Sequence, residues 1–451
     1  MILKKTVFLI LTLCTIAFYC CSSCAEISAG VDSKSGELLT IQQGIVLVLK
    51  DSRLVKIEMA DENMSFDDTI VALSPLLPHL SANIAKTYNM YTPTMIFGGM
   101  EVPMGDKNPL SGGFSIYQTL FDFGKSISNY KASTEMLHAR KASVESVKRT
   151  VMLEFIVSYF DLLEAEKMIV VAEREVESLT SYLNDMEHLY EQGVIVENDL
   201  LPAKVKLADA EQKLIASNNR REIVAAALNT MLTMPLTESI ITQDVKMGIL
   251  ELPELSDAWS SAEAKRPEMV FFNKQIESST LREQAKTVQN LPTVFVDGGY
   301  KYTQNQYMVH EDDTYVNLGA KMDLYDGGAT GAEIMKERHL HERLQEQEKK
   351  VIEDIRYEVK RSFLGVKDAM EKLEVAKGAL AQAEENVRFY RVKYNNGVAT
   401  STDVIEAINL QTKAETNYYS ADYELKRCYA KLIYSMGDDL ISIYNNPLDA
   451  S

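Results

Sequence analysis

Cysteine is scarce in this sequence, and it is concentrated at one end. Four of the five cysteines lie within the first 24 residues, which leaves Cys428 as the one thiol in the rest of the chain. One thiol cannot form an internal disulfide, so the mature chain must be stabilised by packing and assembly. After the amino-terminal segment there is also no run of about 20 apolar residues, and this excludes a transmembrane helix.

Residues typical of catalytic or nucleic-acid sites are scarce as well. Acidic residues outnumber basic ones by 65 to 47, and a formal net charge of −18 is unsuited to binding phosphate backbones. The six histidines are scattered, and His339 and His341, two apart on a predicted helix, point in different directions. No Gly-rich phosphate loop, nucleophile elbow or zinc motif is present. We therefore expect no enzyme activity, no cofactor, no metal site and no nucleic-acid partner.

Residues 1–25 are predicted to be an export signal. Lys4 and Lys5 precede an apolar segment, residues 6–19, that is too short for a comfortable membrane span, although an amino-terminal anchor is the alternative. Processing has two interpretations. Cleavage after Ala25 gives a plain amino terminus, whereas a lipoprotein signal attaches lipid to one of three cysteines, namely Cys20, Cys21 or Cys24.

The rest of the chain is duplicated. Leu-Phe-Asp-Phe-Gly at 120–124 recurs 204 residues later as Leu-Tyr-Asp-Gly-Gly at 324–328. Tyr-Glu-Gln-Gly-Val at 190–194 recurs at the same offset as Tyr-Asn-Asn-Gly-Val at 394–398. Equal spacing indicates an internal repeat, and a repeat decides the architecture. We assign residues 26–240 to a first repeat and residues 241–451 to a second repeat with a short tail.

Each repeat contains one very long predicted helix. Apolar residues recur every three or four positions over 169–190 and again over 373–394, which is the heptad pattern of a coiled coil. A helix from Gly124 to about Tyr190 is roughly 100 Å long at 1.5 Å per residue. Shorter helices are predicted on either side of each long one: 41–73, a return to about Thr233, 256–290, and a return to about Met436. Two short helices, end to end, match one long helix, so each chain supplies four helical columns.

Segments with period-two alternation lie between the helices. Strands are predicted over 80–85, 114–120, 294–303 and 316–324, and residues 92–111, rich in Pro and Gly, are predicted to form an external loop. One face of these strands is apolar and the other polar, as in outer-membrane barrels, although a soluble half-buried sheet gives the same pattern. Four strands alone leave open edges that hydrocarbon does not tolerate. Two copies give a largely filled eight-stranded barrel, whereas three copies give twelve strands above twelve helical columns.

The sequence resembles the TolC-like outer-membrane efflux proteins, also called outer membrane factors, over nearly the whole mature chain. The residues that carry the resemblance are Leu39–Gly44, the Arg266-Pro267-Glu268 segment, the Leu-Pro pairs before the strands and the Tyr-x-x-Gly-Val turns. The predicted fold is mainly α with a transmembrane β part: two repeats form long coiled-coil helices of an α-barrel, and four strands per protomer enter a trimeric twelve-stranded barrel.

The resemblance implies a function and partners. It implies a homotrimeric channel in the outer membrane of a Gram-negative bacterium, contacting outer-membrane lipid and continuing into a periplasmic helical tunnel. A periplasmic adaptor (membrane fusion protein) and an inner-membrane transporter complete a tripartite efflux or type I secretion system. The alternative hypothesis is a periplasmic coiled-coil scaffold or adaptor without a pore.

The resemblance also implies functional positions at the helical turns. Asp403 matches a position where carboxylates ring the closed entrance, and Glu406 lies one helical turn further at a second acidic ring. Tyr394 matches a residue that holds the entrance shut, although Ala399 stands where its basic partner is usual. Asp199 is the first-repeat equivalent of Asp403, and a helix cap is the alternative role of both. Four residues match the positions where adaptors dock: Gly193, Val194, Gly397 and Val398.

Overall fold

The computed structural model describes residues 38–245 and 252–441, and the described part is mainly helical. In chain order its helices are α1 (Ile41–Asp51), α2 (Arg53–Leu73), α3 (Lys125–Glu191), α4 (Glu197–Met231), α5 (Leu255–Lys265), α6 (Pro267–Thr287), α7 (Ala329–Asn395) and α8 (Ser401–Ser435). The lengths 11, 21, 67 and 35 residues occur in this order in both halves, which confirms the duplication. The leader and its cysteines lie outside the described residues, and the repeat boundary at residue 240 stays a prediction.

The prediction of continuous helices over 41–73 and 256–290 is wrong. Ser52 (φ −53°, ψ 126°) and Arg266 (φ −72°, ψ 129°) have non-helical backbones, so each segment is divided into a short and a longer helix. Arg266 precedes Pro267, whose ring disfavours a helical conformation at the residue before it. No proline follows Ser52, and nothing in the local sequence explains its break.

Arg266 holds its break in place through a buried polar cluster. The residue is 7% exposed, and its guanidinium pairs with Glu268 on α6 (3.1 Å from Nε) and with Glu358 on α7. The same guanidinium lies 5.4 Å from the centre of the Tyr434 ring on α8. Glu268 also accepts a hydrogen bond of 2.8 Å from the Ser146 hydroxyl on α3. The cluster therefore ties together four helices at mid-height.

The long helices each pack against shorter helices placed end to end. Helix α3 contacts α2 and α6 along the half nearer the strands, and α4 and α8 along the half nearer the turn at residue 193. Helix α7 contacts α6 and α8 in the same way. The columns therefore run in the order α2/α4, α3, α6/α8, α7, which confirms the expected four columns per chain. No helix of the described part is long and apolar enough to cross a membrane.

The main core lies at the middle of α3, where the stacked helices meet. Phe155, Tyr159 and Phe160 are fully buried there. A side chain at Gly44 of α1 is excluded, because its Cβ would lie 2.0 Å from the Phe155 ring. The hydroxyl of Tyr159 lies 2.8 Å from the carbonyl oxygens of Leu39 and Gln243. Leu39 ends β1 (Leu38–Leu39) and Gln243 follows β6 (Ile241–Thr242), and these two short strands pair in parallel.

The main sheet contains four antiparallel strands in the order β2-β5-β7-β8. They are β2 (His79–Lys86), β5 (Leu110–Phe121), β7 (Thr293–Thr303) and β8 (Asp312–Lys321), so the last strand starts and ends earlier than predicted. The register confirms the predicted alternation, because cross-strand partners share a face. One face is mostly apolar: Leu80, Ala82, Ile84, Phe114, Ile116, Val296, Gly298, Tyr300, Val316, Leu318 and Ala320. The opposite face carries mainly small and polar residues, among them Ser81, Asn83, Ser115, Asp297, Lys301 and Asn317.

The predicted loop at 92–111 contains regular structure of its own. It forms a hairpin of two strands, β3 (Thr94–Phe97) and β4 (Met100–Pro103), which we call the outer hairpin. Gly98 and Gly99 make its turn, with φ of +59° and +86°. Glycine tolerates these values without steric cost, so the pair permits a tight reversal that proline-rich composition alone does not reveal.

Candidate functional site

The helices α3 and α7 end in turns of the same backbone geometry. The glycine in each turn, Gly193 or Gly397, has a φ of +73°. The next residue donates its amide to the carbonyl five positions back at 2.9 Å, which closes a common helix-ending motif. Those next residues, Val194 and Val398, are 66% and 72% exposed. The turns therefore present two apolar side chains to solvent at one end of the molecule.

Asp199 and Asp403 lie in the first turns of the returning helices α4 and α8. A carboxylate oxygen of Asp403 accepts hydrogen bonds from the amide (2.8 Å) and the hydroxyl (2.7 Å) of Thr400, and the Thr400 hydroxyl accepts the Asp403 amide at 3.3 Å. This reciprocal pair is a capping box. Asp199 accepts the amide of Val196 at 3.4 Å, and valine has no hydroxyl to complete the box. The hydrogen bonds from Thr400 lower the pKa of the Asp403 carboxyl.

A buried apolar cluster lies directly behind the two turns. Leu179 and Met186 of α3 are 1% and 0% exposed, and Val404 of α8 is 0% exposed. The cluster takes side chains from all four helices that meet at this end, and its further buried members include Leu200, Ala203, Val387, Ile405 and Ile408. Contacts of this kind couple the turn of one repeat to the turn of the other.

Tyr182 joins the two repeats most directly. Its ring packs against Tyr394 of α7, with centroids 5.5 Å apart and ring planes at 66°. Its hydroxyl donates to the carbonyl of Ser401, the first residue of α8, at 3.4 Å. The Ser401 hydroxyl in turn lies 3.5 Å from the Met186 sulfur and from the Asp199 carbonyl. Burial raises the pKa of the Tyr182 phenol, so this group stays a hydrogen-bond donor at neutral pH.

The predicted site residues are therefore brought to one end, but they do different things there. Tyr394 is held in the interior contact with Tyr182, whereas Glu406 is exposed one helical turn after Asp403. Tyr182 and Ser401 are not among the site residues predicted from the sequence. Tyr182 lies about one turn from both Leu179 and Met186 of the heptad seam, and that spacing is the signal that places it on the packed side. Within the described ranges, no group of three or more His, Cys, Asp or Glu side chains is arranged to hold a metal ion.

Comparisons with known proteins decide the family. The family model described as outer membrane efflux protein matches residues 60–233 and 258–438, which is well over half of the chain. The chain belongs to the outer membrane efflux protein family. No curated protein matches the sequence.

Solved structures of outer-membrane channels share the fold of this efflux protein. VceC from Vibrio cholerae is 15% identical with a TM-score of 0.77, and the match covers 89% of this chain and 96% of VceC. The CmeC channel of Campylobacter jejuni is 14% identical with a TM-score of 0.76, covering 91% and 90%. The open MtrE channel of Neisseria gonorrhoeae is 15% identical with a TM-score of 0.74, covering 89% of each chain.

The family membership fixes the location and the class of function. The efflux protein is an outer-membrane channel with a periplasmic helical part, and not a scaffold without a pore. Its relatives are channel proteins rather than enzymes. The turns at residues 193 and 397 lie at the far end of the helices from the strands, and so at the end of the helical part remote from the outer membrane.

Proposed function

We propose that three copies of this chain form a passive exit duct, with a twelve-stranded barrel in the membrane and a tunnel of twelve helical columns below it. The observation that carries the proposal is the open sheet. β2 and β8 are its edge strands, and their backbone groups on the outer side have no partner within the sheet. Hydrocarbon does not tolerate unpaired backbone groups, so the edges must be joined to neighbouring copies.

Strand direction permits this closure. The four strands alternate in direction, so β8 of one copy runs antiparallel to β2 of the next, and the pattern continues around a ring. The described residues of the chain leave the apolar face of the sheet uncovered: Leu80, Val316 and Leu318 are 67%, 77% and 75% exposed. Lipid is the solvent that suits this face, whereas the polar face suits a water-filled interior.

The helical columns at the two ends of the row also lack outer neighbours within the part of the chain that the structure describes. α2 and α4 pack on one side of α3, and α7 packs on the far side of α6 and α8. Both ends expose apolar residues, including Met64 (64%) on α2, Val205 (68%) on α4 and Val375 (74%) on α7. Contact between these unlike end columns is heterologous, and a heterologous contact that closes gives a ring.

The turn end of this ring forms the proposed entrance. Threefold symmetry brings three copies each of Asp403 and Glu406 around one axis, and clustered carboxylates there attract cations. The exposed turn residues Gly193-Val194 and Gly397-Val398 are the proposed contact with a periplasmic adaptor, which joins the duct to an inner-membrane transporter. The transporter supplies the energy, so the duct is passive. The duct itself performs no covalent chemistry.

A charge placed on alternate faces of β8 tests the proposal. Val316→Lys puts a cation on the proposed lipid face, at a cost of about 2–4 kcal/mol near the bilayer centre. Asn317→Lys is the matched control on the other face, where Asp297 lies opposite it in the register. Detergent-resistant trimers are measured by unheated gel electrophoresis of outer-membrane fractions. We expect trimers for the original chain and Asn317→Lys, and their loss for Val316→Lys. Equal behaviour of the two variants, or a monomer in every sample, contradicts the proposal.

A further inference from the structure

We infer that the outer hairpin docks on the neighbouring copy of this chain, against the short loop that joins β7 to β8 (residues 304–311). The inference rests on the proposed trimer. It assigns to residues 94–103 a protomer contact at the outer mouth that is separate from the barrel seam and from the helical columns.

One face of the outer hairpin is entirely apolar and uncovered. The register pairs Met95 with Val102 and Phe97 with Met100, and directly opposed residues share a face. These four side chains are 55%, 41%, 77% and 71% exposed. An isolated two-stranded ribbon is at best marginally stable in water, so a hairpin of this composition needs a surface to pack on. Residues 38–245 and 252–441 of its own protomer do not supply that surface.

Hydrogen bonds hold the base of the outer hairpin, so the direction in which its tip extends is set by the rest of the chain. The pairing of β2 and β5 continues outward through hydrogen bonds between residues 87 and 109 and residues 89 and 107. Beyond these, the Met104 amide donates to the Pro93 carbonyl at 2.9 Å. The Asn305 side chain donates to the Met104 carbonyl at 3.0 Å, which anchors the base to the chain's own short loop.

The short loop has one side occupied and one side open. Asn305 and Gln306, which follow β7, make the contacts to the base of the same chain's outer hairpin. The next residues, Tyr307, Met308 and Val309, lead towards β8 and are 48%, 58% and 94% exposed. The Glu311 carboxylate accepts the Asn305 amide at 2.8 Å and so holds the loop in shape. The exposed apolar residues of the loop therefore lie in the part that leads into β8.

The order of strands makes that open side face the next copy. β8 is an edge strand, and in the proposed ring it pairs with β2 of the neighbour, which leads directly into the neighbour's outer hairpin. Each short loop thus lies between its own hairpin, which it already touches, and the hairpin of the next copy. The second repeat has no hairpin in its loop, so the long and short loops alternate around the mouth and no two hairpins are adjacent.

The charges around the mouth favour protein over lipid as the occupant. The two loops carry Glu101, Asp106 and Glu311 against Lys107, and the adjoining strand ends add Asp312 and Asp313 against Lys86 and Lys301, so the mouth is acidic on balance. An acidic rim repels the phosphates of lipid headgroups, whereas it does not oppose contact between apolar side chains of two copies. Because β2 leads into the outer hairpin, the hairpin also adjoins the proposed seam with β8 of the next copy.

Cysteine cross-linking of the full chain in outer-membrane fractions tests the contact. Phe97→Cys is combined with Val309→Cys and treated with a short bismaleimide, and covalent dimers and trimers are expected on denaturing gels. Ile96→Cys with Val309→Cys is the matched control, because Ile96 is 74% exposed on the opposite face of the same strand. We also expect external maleimide to label Phe97→Cys about tenfold more slowly than Ile96→Cys, since a docked side chain reacts only when the contact opens.

The outcomes separate this inference from the proposed trimer, which is read independently as detergent-resistant trimers on unheated gels. The docking is refuted if trimers form but no covalent dimers or trimers appear on denaturing gels, or if maleimide labels the two hairpin faces equally. The proposed duct is not affected by either result. Covalent dimers and trimers formed by Phe97→Cys without Val309→Cys also refute the docking, because the hairpins of different copies then contact one another at the axis. If the chain without substitutions forms no trimers, both the docking and the proposed duct are refuted.

Discussion

Tyr182 on α3 and Tyr394 on α7 pack ring against ring, with centroids 5.5 Å apart, although the two helices belong to different repeats. This contact, together with the hydrogen bond from Tyr182 to Ser401, ties the last turns of both long helices to the start of α8. The contact therefore couples the turn ends of the two repeats at the proposed entrance.

Removing the Tyr182 ring is expected to loosen the turn end. Tyr182 is 5% exposed, so Tyr182→Ala leaves a cavity and costs about 3–5 kcal/mol of local stability. Hydrogen exchange of the amides near residues 182 and 394 measures this as faster opening. Tyr190→Ala is the control, since Tyr190 is 43% exposed on the same helix and should cost less than about 1 kcal/mol. Equal effects of both variants would show that the ring contact does not hold the end together.

The capping box predicts a pH dependence at the start of α8. The pKa of Asp403 is lowered in the folded chain, so its contribution is present above the ordinary aspartate value of about 3.9 and is lost as pH falls through the folded pKa. Amide exchange at residues 400–405, corrected for its intrinsic rate, should therefore increase at acidic pH. Thr400→Ala should lose about 1 kcal/mol of local stability, whereas Thr400→Ser should retain it. A pH-independent cap would contradict the assignment.

Glu406 provides the cleaner test of the acidic entrance. Asp403 also caps a helix, so its substitution changes structure and charge together, whereas the exposed Glu406 has no such role in the capping box. Glu406→Gln should lower the cation preference of single channels in planar bilayers by roughly twofold to tenfold. Glu222→Gln, an equal loss of charge on α4 remote from the turns, should leave the preference unchanged. An unaltered Glu406→Gln channel would place the selective ring elsewhere.

The buried cluster around Arg266 should contribute strongly to the free energy of unfolding at the middle of the helical columns. Burial alone raises the pKa of the Glu268 carboxyl, but hydrogen bonds from Arg266 outweigh it and leave that pKa lowered. Arg266→Ala leaves a buried carboxylate without its cation and should cost about 3–5 kcal/mol in denaturant unfolding. Arg356→Ala removes an exposed pair with Glu263 nearby and should cost much less, because water and salt screen an exposed ion pair. The Arg266 contribution should fall as pH drops through the folded pKa of Glu268, and similar losses in the two variants would contradict it.

Long-period features were predictable because they repeat. The heptad pattern predicted the helices α3 and α7, and the 204-residue offset indicated that the second half repeats the first. The glycines at 193 and 397 marked the turns because no other residue adopts their φ without cost. The strands were found from alternation alone, since one face had to differ from the other.

Features that depend on neighbours in space were missed. The break at Ser52 has no local signal, and Tyr182 gains its role from Tyr394 and Ser401, which are more than 200 positions away in the chain. The outer hairpin was predicted as a plain loop because four-residue strands with a glycine turn give too short an alternation to identify. A helix cap was expected from the sequence as the alternative role of Asp403, but its capping partner Thr400 was not.

The sequence by itself determined the duplicated helices, the turns and the two-faced strands, because these follow from periodicity and from the restricted backbone of glycine. Tertiary structure decided which residues meet: the order β2-β5-β7-β8, the order of the helical columns, the Arg266 cluster and the Tyr182–Tyr394 contact. Periodicity states which face of an element is apolar. It does not state which distant face covers it, because that choice depends on packing among all the elements at once.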